Sequence, residues 1–251
     1  MNLMVVLAAG FLFLKTGEKF ATQESAGSTV ALLTTFIGQQ TGAPFEPHVF
    51  NDPSQAAKYC ASGKPAAGIV TPGFYLAYGK TLGMEPIFEI NRQQVTAERY
   101  VLVTKGAALA TLTGKTIATP LAAEPRFVAS VILQGKLGAD VRLQLVTDVE
   151  GAVMDLVEAV KNAPAAVLME EGTWQVIHAD AELGSQVKAV FISDELPGNL
   201  VVLFSDKCDA GKLKAALQLT PAEILGAIRV EKFYGINHER LSHAEKLFHD
   251  E

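Results

Sequence analysis

Two segments of this chain, about a hundred residues apart, lie over one another without a gap. Pro65-Ala66-Ala67-Gly68-Ile69-Val70-Thr71-Pro72-Gly73-Phe74-Tyr75-Leu76 aligns with Pro164-Ala165-Ala166-Val167-Leu168-Met169-Glu170-Glu171-Gly172-Thr173-Trp174-Gln175. Pro65/Pro164, Ala66/Ala165, Ala67/Ala166, Gly73/Gly172 and the aromatic pair Tyr75/Trp174 fall in register. In both copies an apolar helical run leads into a short apolar strand, a glycine-containing turn and a second amphipathic stretch, which is a helix–strand–loop–helix unit. A chain built on two such units is expected to fold as two similar halves, with its function in the cleft between them.

The length of 251 residues suits two such halves, each of about 100 to 130 residues. With 49% hydrophobic and 19% charged residues the chain has apolar surface for two cores, and it does not read as disordered. The net charge is −6, and lysine and arginine are scattered, so the electrostatic footprint of a nucleic-acid or anionic-membrane partner is missing. The uncharged run Leu3–Leu14 lacks the basic start and cleavage site of a signal peptide and is too short to span a bilayer. Leu3–Ala9 reads as a buried first strand. Cys60 and Cys208 have no metal-ligand or C-x-x-C spacing and read as two free thiols, the alternative being a disulfide in an oxidising compartment.

Strands and helices then alternate. A helix from Thr22 through Phe36 precedes a strand at Phe45–Phe50; Asn51-Asp52-Pro53-Ser54 opens a helix through Ala61, and Ala67–Val70 leads through Thr71-Pro72-Gly73 into a helix reaching Tyr78. Pro86–Ile90 and Arg99–Lys105 are strand-like. A second series begins with a strand over Thr113–Ala118 and a turn at Thr119-Pro120, followed by a helix at Pro125–Leu133, a strand at Arg142–Val146 and a helix at Val149–Val160. The repeated strand Ala166–Met169 and its helix follow, then strands at Val187–Ile192 and Leu200–Leu203 and helices at Lys212–Leu217, Pro221–Val230 and Leu241–His249. This order predicts an α/β fold with mostly parallel sheets, whose ligands sit at the carboxyl ends of strands. The loops at those ends are Ala8-Ala9-Gly10, Thr71-Pro72-Gly73, Thr119–Glu124 and Glu170–Thr173.

The string Ala61-Ser62-Gly63-Lys64, a small-residue strand, Thr71-Pro72-Gly73-Phe74-Tyr75, Glu98-Arg99-Tyr100-Val101-Leu102-Val103 and Leu112-Thr113-Gly114-Lys115-Thr116-Ile117-Ala118 resembles the phosphonate-type periplasmic solute-binding proteins of ABC transporters. Ser193-Asp194-Glu195-Leu196-Pro197-Gly198-Asn199 resembles that family's return segment, and the likeness runs from about Leu3 to Leu217. It implies an α/β, two-lobed type II periplasmic-binding-protein fold with the ligand cleft between the lobes. Crossings near Val95–Tyr100 and Val187–Ile192 would make residues 1–94 and 191–251 the first lobe and residues 95–190 the second. It further implies a periplasmic location with an export signal outside these residues, a small-molecule ligand, a transient membrane permease partner, a monomeric state, no direct membrane insertion and no cofactor.

The resemblance breaks at the anion site. Where phosphonate binders carry a Ser-x-Ser-Gly helix start, this chain has Thr119-Pro120-Leu121-Ala122-Ala123-Glu124-Pro125, with one hydroxyl and two prolines that lack an N–H. Glu124, Glu170 and Glu171 would add negative charge. An uncharged or cationic ligand, met by aromatic faces, fits better, and the expected ligand-binding set is Gly10, Thr71, Pro72, Gly73, Phe74, Tyr75, Thr119, Leu121, Glu124, Glu170, Glu171 and Trp174. Several of these have a structural alternative: Thr71, Glu170 and Glu171 as helix caps, and Tyr75 and Trp174 as core.

Catalytic signatures are absent: there is no G-x-S-x-G, P-loop, G-x-G-x-x-G or H-E-x-x-H, and no metal-ligand spacing. His238, His243 and His249 read as surface residues. Two other functions stay open: a cytoplasmic enzyme of the cofactor-biosynthesis type on the same fold, resting on Glu124, Glu170 or His178, and a ligand sensor whose tail Pro221–Glu251 contacts a signalling partner.

Overall fold

The computed structural model describes residues 8–16, 23–63, 65–91, 97–138, 141–204 and 208–250. The chain runs β1 (Ala9–Leu14), α1 (Gln23–Thr41), β2 (Phe45–Phe50), α2 (Pro53–Gly63), β3 (Ala67–Val70), α3 (Pro72–Leu82) and β4 (Glu85–Asn91). It continues with β5 (Tyr100–Thr104), β6 (Thr116–Thr119), a π-helical segment Phe127–Ile132, β7 (Arg142–Leu145), α4 (Val149–Glu158), β8 (Ala166–Glu170), α5 (Glu171–Ala179) and β9 (Lys188–Ile192). The last elements are β10 (Asn199–Leu203), α6 (Ala210–Gln218), α7 (Ala222–Ala227), β11 (Lys232–Tyr234) and α8 (His238–His249).

These elements form two compact units. Unit 1 contains β1 to β4 with their helices and returns for residues 197–237; unit 2 contains residues 97–196 and takes the last helix, from 238 onward. Unit 1 carries a six-stranded sheet in the order β11-β4-β10-β3-β1-β2, and unit 2 a five-stranded sheet in the order β7-β6-β8-β5-β9. Read backward, the second order is β9-β5-β8-β6-β7, and each neighbouring pair has the same sense as its counterpart in β4-β10-β3-β1-β2. β1 runs parallel to β2 and β3 as β6 does to β7 and β8; β10 runs antiparallel to β3 and β4 as β5 does to β8 and β9. The sequence repeat thus extends to five strands per unit, and its two copies form the corresponding pairs β3–α3 and β8–α5.

The sheets are mixed, not mostly parallel. β10 and β5 enter their sheets directly after the chain changes unit, with no crossover helix to restore direction, so they pair antiparallel to the βαβ strands beside them. Other placements differ in detail from the sequence reading. The strand expected at Leu3–Ala9 lies for the most part outside the described residues, and among those described β1 spans Ala9–Leu14. The compact units group residues 197–237 with unit 1 and α8 with unit 2, where the sequence reading placed residues 191–251 together in the first lobe. The helix expected over Pro221–Val230 stops at Ala227, and the chain returns to unit 1's edge as β11 before its final helix.

Each unit has its own core. In unit 1, Val30, Leu33 and Ile37 repeat along one face of α1 and pack with Phe11, Phe13, Phe45 and Leu213. In unit 2, Ala152, Val153, Leu156 and Val157 of α4 cover Val101, Ala118 and Val167 of the sheet. Each such branched aliphatic side chain contributes about 1.5–3 kcal/mol when fully buried. α8 joins unit 2 through Leu241, Ala244 and Phe248, spaced along one helix face, and the Arg126 guanidinium lies 4.7 Å from the Phe248 ring centre. Cys60 and Cys208 are both free thiols.

Candidate functional site

In unit 1 the carboxyl edge of the sheet is formed by the ends of β1, β3 and β4 and the start of β10. Thr71 leaves β3 in extended backbone and caps α3, its hydroxyl accepting from the Phe74 N–H at 3.2 Å, with Pro72 in the first turn where no donor is lost. The cap reading of Thr71 therefore holds. Pro72 and Gly73 are buried beside it, Phe74 is 1% exposed against Tyr78 (ring centres 5.0 Å apart), and Tyr75 is half-buried. Phe74 is thus packed in the core. Lys15, directly after β1, is 9% exposed, and its N–H donates to the Phe50 carbonyl at 3.0 Å.

Gly10 lies apart from the other expected residues of unit 1. It lies at the amino end of β1, where its carbonyl accepts from the Ala66 N–H, at the edge of the sheet opposite Thr71. The sequence reading set Gly10 in a loop after the first strand, whereas it lies within β1. The equivalent carboxyl-end position is Lys15–Thr16.

In unit 2 the corresponding edge brings together the ends of β6, β8 and β9 and the start of β5. Thr119 is fully buried, and its hydroxyl accepts from the Leu121 N–H at 3.3 Å. The turn Pro120–Ala123 leads to Glu124, a carboxylate only 7% exposed, whose carbonyl accepts from the Val128 N–H at 3.1 Å, at the mouth of the π-helical segment. Such segments are rare and concentrate at functional positions. Leu121 is half-buried in this turn.

One strand over, Glu170 occupies the N-cap of α5 without a side-chain cap bond, while the Glu171 N–H donates to the Arg99 carbonyl at 2.8 Å. The side-chain cap expected as the alternative for Glu170 is not made. Trp174 stacks on His178 (ring centres 4.7 Å apart) and packs against unit 2's core, so it is half core, half surface. His178 is in the last turn of α5, away from Glu170 at its start.

Two residues at this edge stand outside the expected ligand-binding set. Ser193, 5% exposed, accepts from the Tyr100 N–H at 3.0 Å and donates to the Asp194 carbonyl at 2.8 Å; Tyr100 is 7% exposed and pairs in register with Glu170. Both lie inside strings that carry the resemblance, but their place at this edge emerges only from the pairing of β5 with β8 and β9. Beside them Arg99 meets Glu195 at 2.8 Å. Among the described residues no group of three His, Cys, Asp or Glu side chains could hold a metal ion, and no helix is long and apolar enough to cross a membrane.

Two α/β units with matching strand orders, joined by repeated crossings and presenting a turn-to-helix start at each carboxyl edge, constitute the type II periplasmic-binding fold. Solved structures share it across nearly the whole chain. XAC2383 from Xanthomonas citri, bound to ATP, matches at TM-score 0.71 and 12% identity, over 96% of this chain and 97% of that one. The binding protein component of an ABC phosphonate transporter from Pseudomonas aeruginosa matches at 0.66 and 12%, over 96% and 85%. PhnD1 from Prochlorococcus marinus, in complex with methylphosphonate, matches at 0.65 and 10%, over 95% and 96%. No family model and no curated protein sequence matches the chain.

Proposed function

We propose that this chain is the solute-binding component of an ABC-type transporter: a non-enzymatic protein, monomeric and periplasmic, that closes its two units on a small polar molecule and hands it to a membrane permease. The observation that carries the reading is the doubled architecture, in which each unit offers a strand–turn–helix start, Thr71–Gly73 or Glu170–Gly172, at its carboxyl edge. Ligands of open α/β sheets bind at such edges. The ABC-transporter components among the structural neighbours support the same role.

The ligand class departs from those neighbours. Thr119, Leu121, Glu124, Glu170, Glu171 and Trp174 from unit 2, with Thr71, Pro72, Gly73 and Tyr75 from unit 1, would supply the contacts. Pro120 and Pro125 remove donors from the turn where an anion would sit, and three carboxylates disfavour a second negative charge. An uncharged or cationic solute meets neither obstacle.

A thermal-shift screen tests both layers. Methylphosphonate, inorganic phosphate and ATP form one arm, and small amines and neutral heterocycles the other. A ligand at a hundred times its dissociation constant stabilises the folded state by about 2.7 kcal/mol. Stabilisation confined to the second arm is expected. Stabilisation by the anions alone overturns the ligand class, and turnover of a stabilising compound overturns the binding-protein role.

A further inference from the structure

The chain passes between units at Leu196–Pro197 and again at Asn237–His238. On the unit 2 side of the first passage, Leu196 is fully buried and fixed by two backbone bonds with Glu98: its N–H donates to the Glu98 carbonyl at 2.8 Å, and the Glu98 N–H donates to its carbonyl at 3.0 Å. On the unit 1 side, the Gly198 N–H donates to Glu89 Oε1 at 2.9 Å. Glu89 is 1% exposed, in the middle of β4. Its other oxygen, Oε2, accepts from the Asn237 N–H at 3.5 Å, the outer reach of a hydrogen bond. Beyond Asn237, α8 is tied to the segment that precedes the first passage, by His243 to Asp194 at 3.0 Å and Arg240 to Glu195 at 3.9 Å.

We infer that Glu89 is a positioning residue for the hinge: one buried carboxylate holds both return passages where they leave unit 1 and confines the pivot of the first to Pro197. With Leu196 and Gly198 each fixed to a different unit, only the torsions around Pro197 remain to turn. Proline locks its own φ and restricts the residue before it, so the pivot is narrow. A hydrogen bond to a buried charged group is among the stronger single bonds in a protein, which suits Glu89 to hold a moving joint still. This deepens the closing motion of the proposed function and rests on that reading for its purpose.

The test uses the full chain without ligand. Amide hydrogen exchange is followed by NMR in the parent, in E89A, and in E89Q, which keeps the shape and one acceptor. Gly198 is expected to exchange at least about tenfold faster in E89A, as befits loss of a charged acceptor, and by less in E89Q, while Val201 and Val202 within β10 keep their protection. In parallel, spin labels introduced through noncanonical side chains at exposed Lys80 in unit 1 and Lys188 in unit 2 report the distribution of distances between the units; it should broaden in E89A and, to a lesser degree, in E89Q. Unchanged Gly198 exchange, equal loss of protection throughout β10, or an unbroadened distribution overturns the inference. Because no ligand is present, a failed solute screen leaves this result standing, and failure here leaves the binding role intact.

Discussion

At the scale of single residues, two glycines of unit 1's sheet show why position in the sheet outweighs residue type. A Cβ on Gly68 would come within 2.6 Å of the Leu12 carbonyl oxygen and 2.7 Å of its Cβ, in the adjoining strand β1, which cannot retreat without disturbing the sheet centre. A Cβ on Gly10 would meet the Tyr59 hydroxyl, the free end of a side chain. Tyr59 can swing, giving up its ring contacts with His48 (4.4 Å) and Phe50 (5.3 Å), worth about 0.5–1.5 kcal/mol for an aromatic pair. Overpacking a rigid site costs about 1–3 kcal/mol, so Gly68→Ala should lower the urea midpoint of unfolding clearly more than Gly10→Ala. Equal midpoints would show that β1 yields at its centre as readily as a side chain does. Gly10 is thus a glycine for Tyr59's sake. Thr71 was readable as a cap from Thr-Pro-Gly alone, whereas the burial of Glu124 and Lys15 was not, because charged residues default to the surface until tertiary partners bring them inside.

Among the elements, those with a full period in the sequence were legible: β2, α4 and β8 fall within two residues of their expected bounds, since alternation and the apolar helical stripe are local properties. β11 was not, because three residues hold no period; strand direction in β5 and β10 was not, because it is decided by which neighbour the strand meets. The membership of α8 was hidden for the same reason. Its face Leu241, Ala244, Phe248 says that it packs but not on what, and the partner, the π-helical segment with Arg126, lies more than a hundred residues earlier in the chain. A consequence separates the two assignments. Phe248→Ala should destabilise by about 3–5 kcal/mol, as for other buried aromatics cut to alanine. Native-state hydrogen exchange should locate the loss in unit 2, at Val131, Ile132 and the amides of β6, and spare Leu33 and Ile37 of α1. Losses concentrated in unit 1 would place α8 with the first lobe after all.

For the molecule as a whole, the repeat and the family resemblance both made the two-unit fold legible in the sequence, the repeat because duplication leaves residues in register even when the partners that complete each sheet lie far away. Whether the two copies serve one ligand can be asked with probes already built into the chain. Trp174, the only tryptophan, stacks on His178 in unit 2 and reports that unit's unfolding by fluorescence. Cys60 is 4% exposed in unit 1, and burial pushes its thiol up to about 12, so it stays protonated and inert toward alkylation near neutral pH until that unit opens. Cys208, whose thiol is also raised by burial, is replaced by serine for this measurement. A ligand that binds only the folded state stabilises whatever must be folded to bind it, by an amount set by its concentration over its dissociation constant. If the solute is held by both carboxyl edges, a saturating stabiliser from the thermal-shift screen should raise the urea midpoints of Trp174 fluorescence and of Cys60 alkylation together. If one edge alone binds it, only that unit's midpoint moves, and the two copies then share an ancestry but not a ligand.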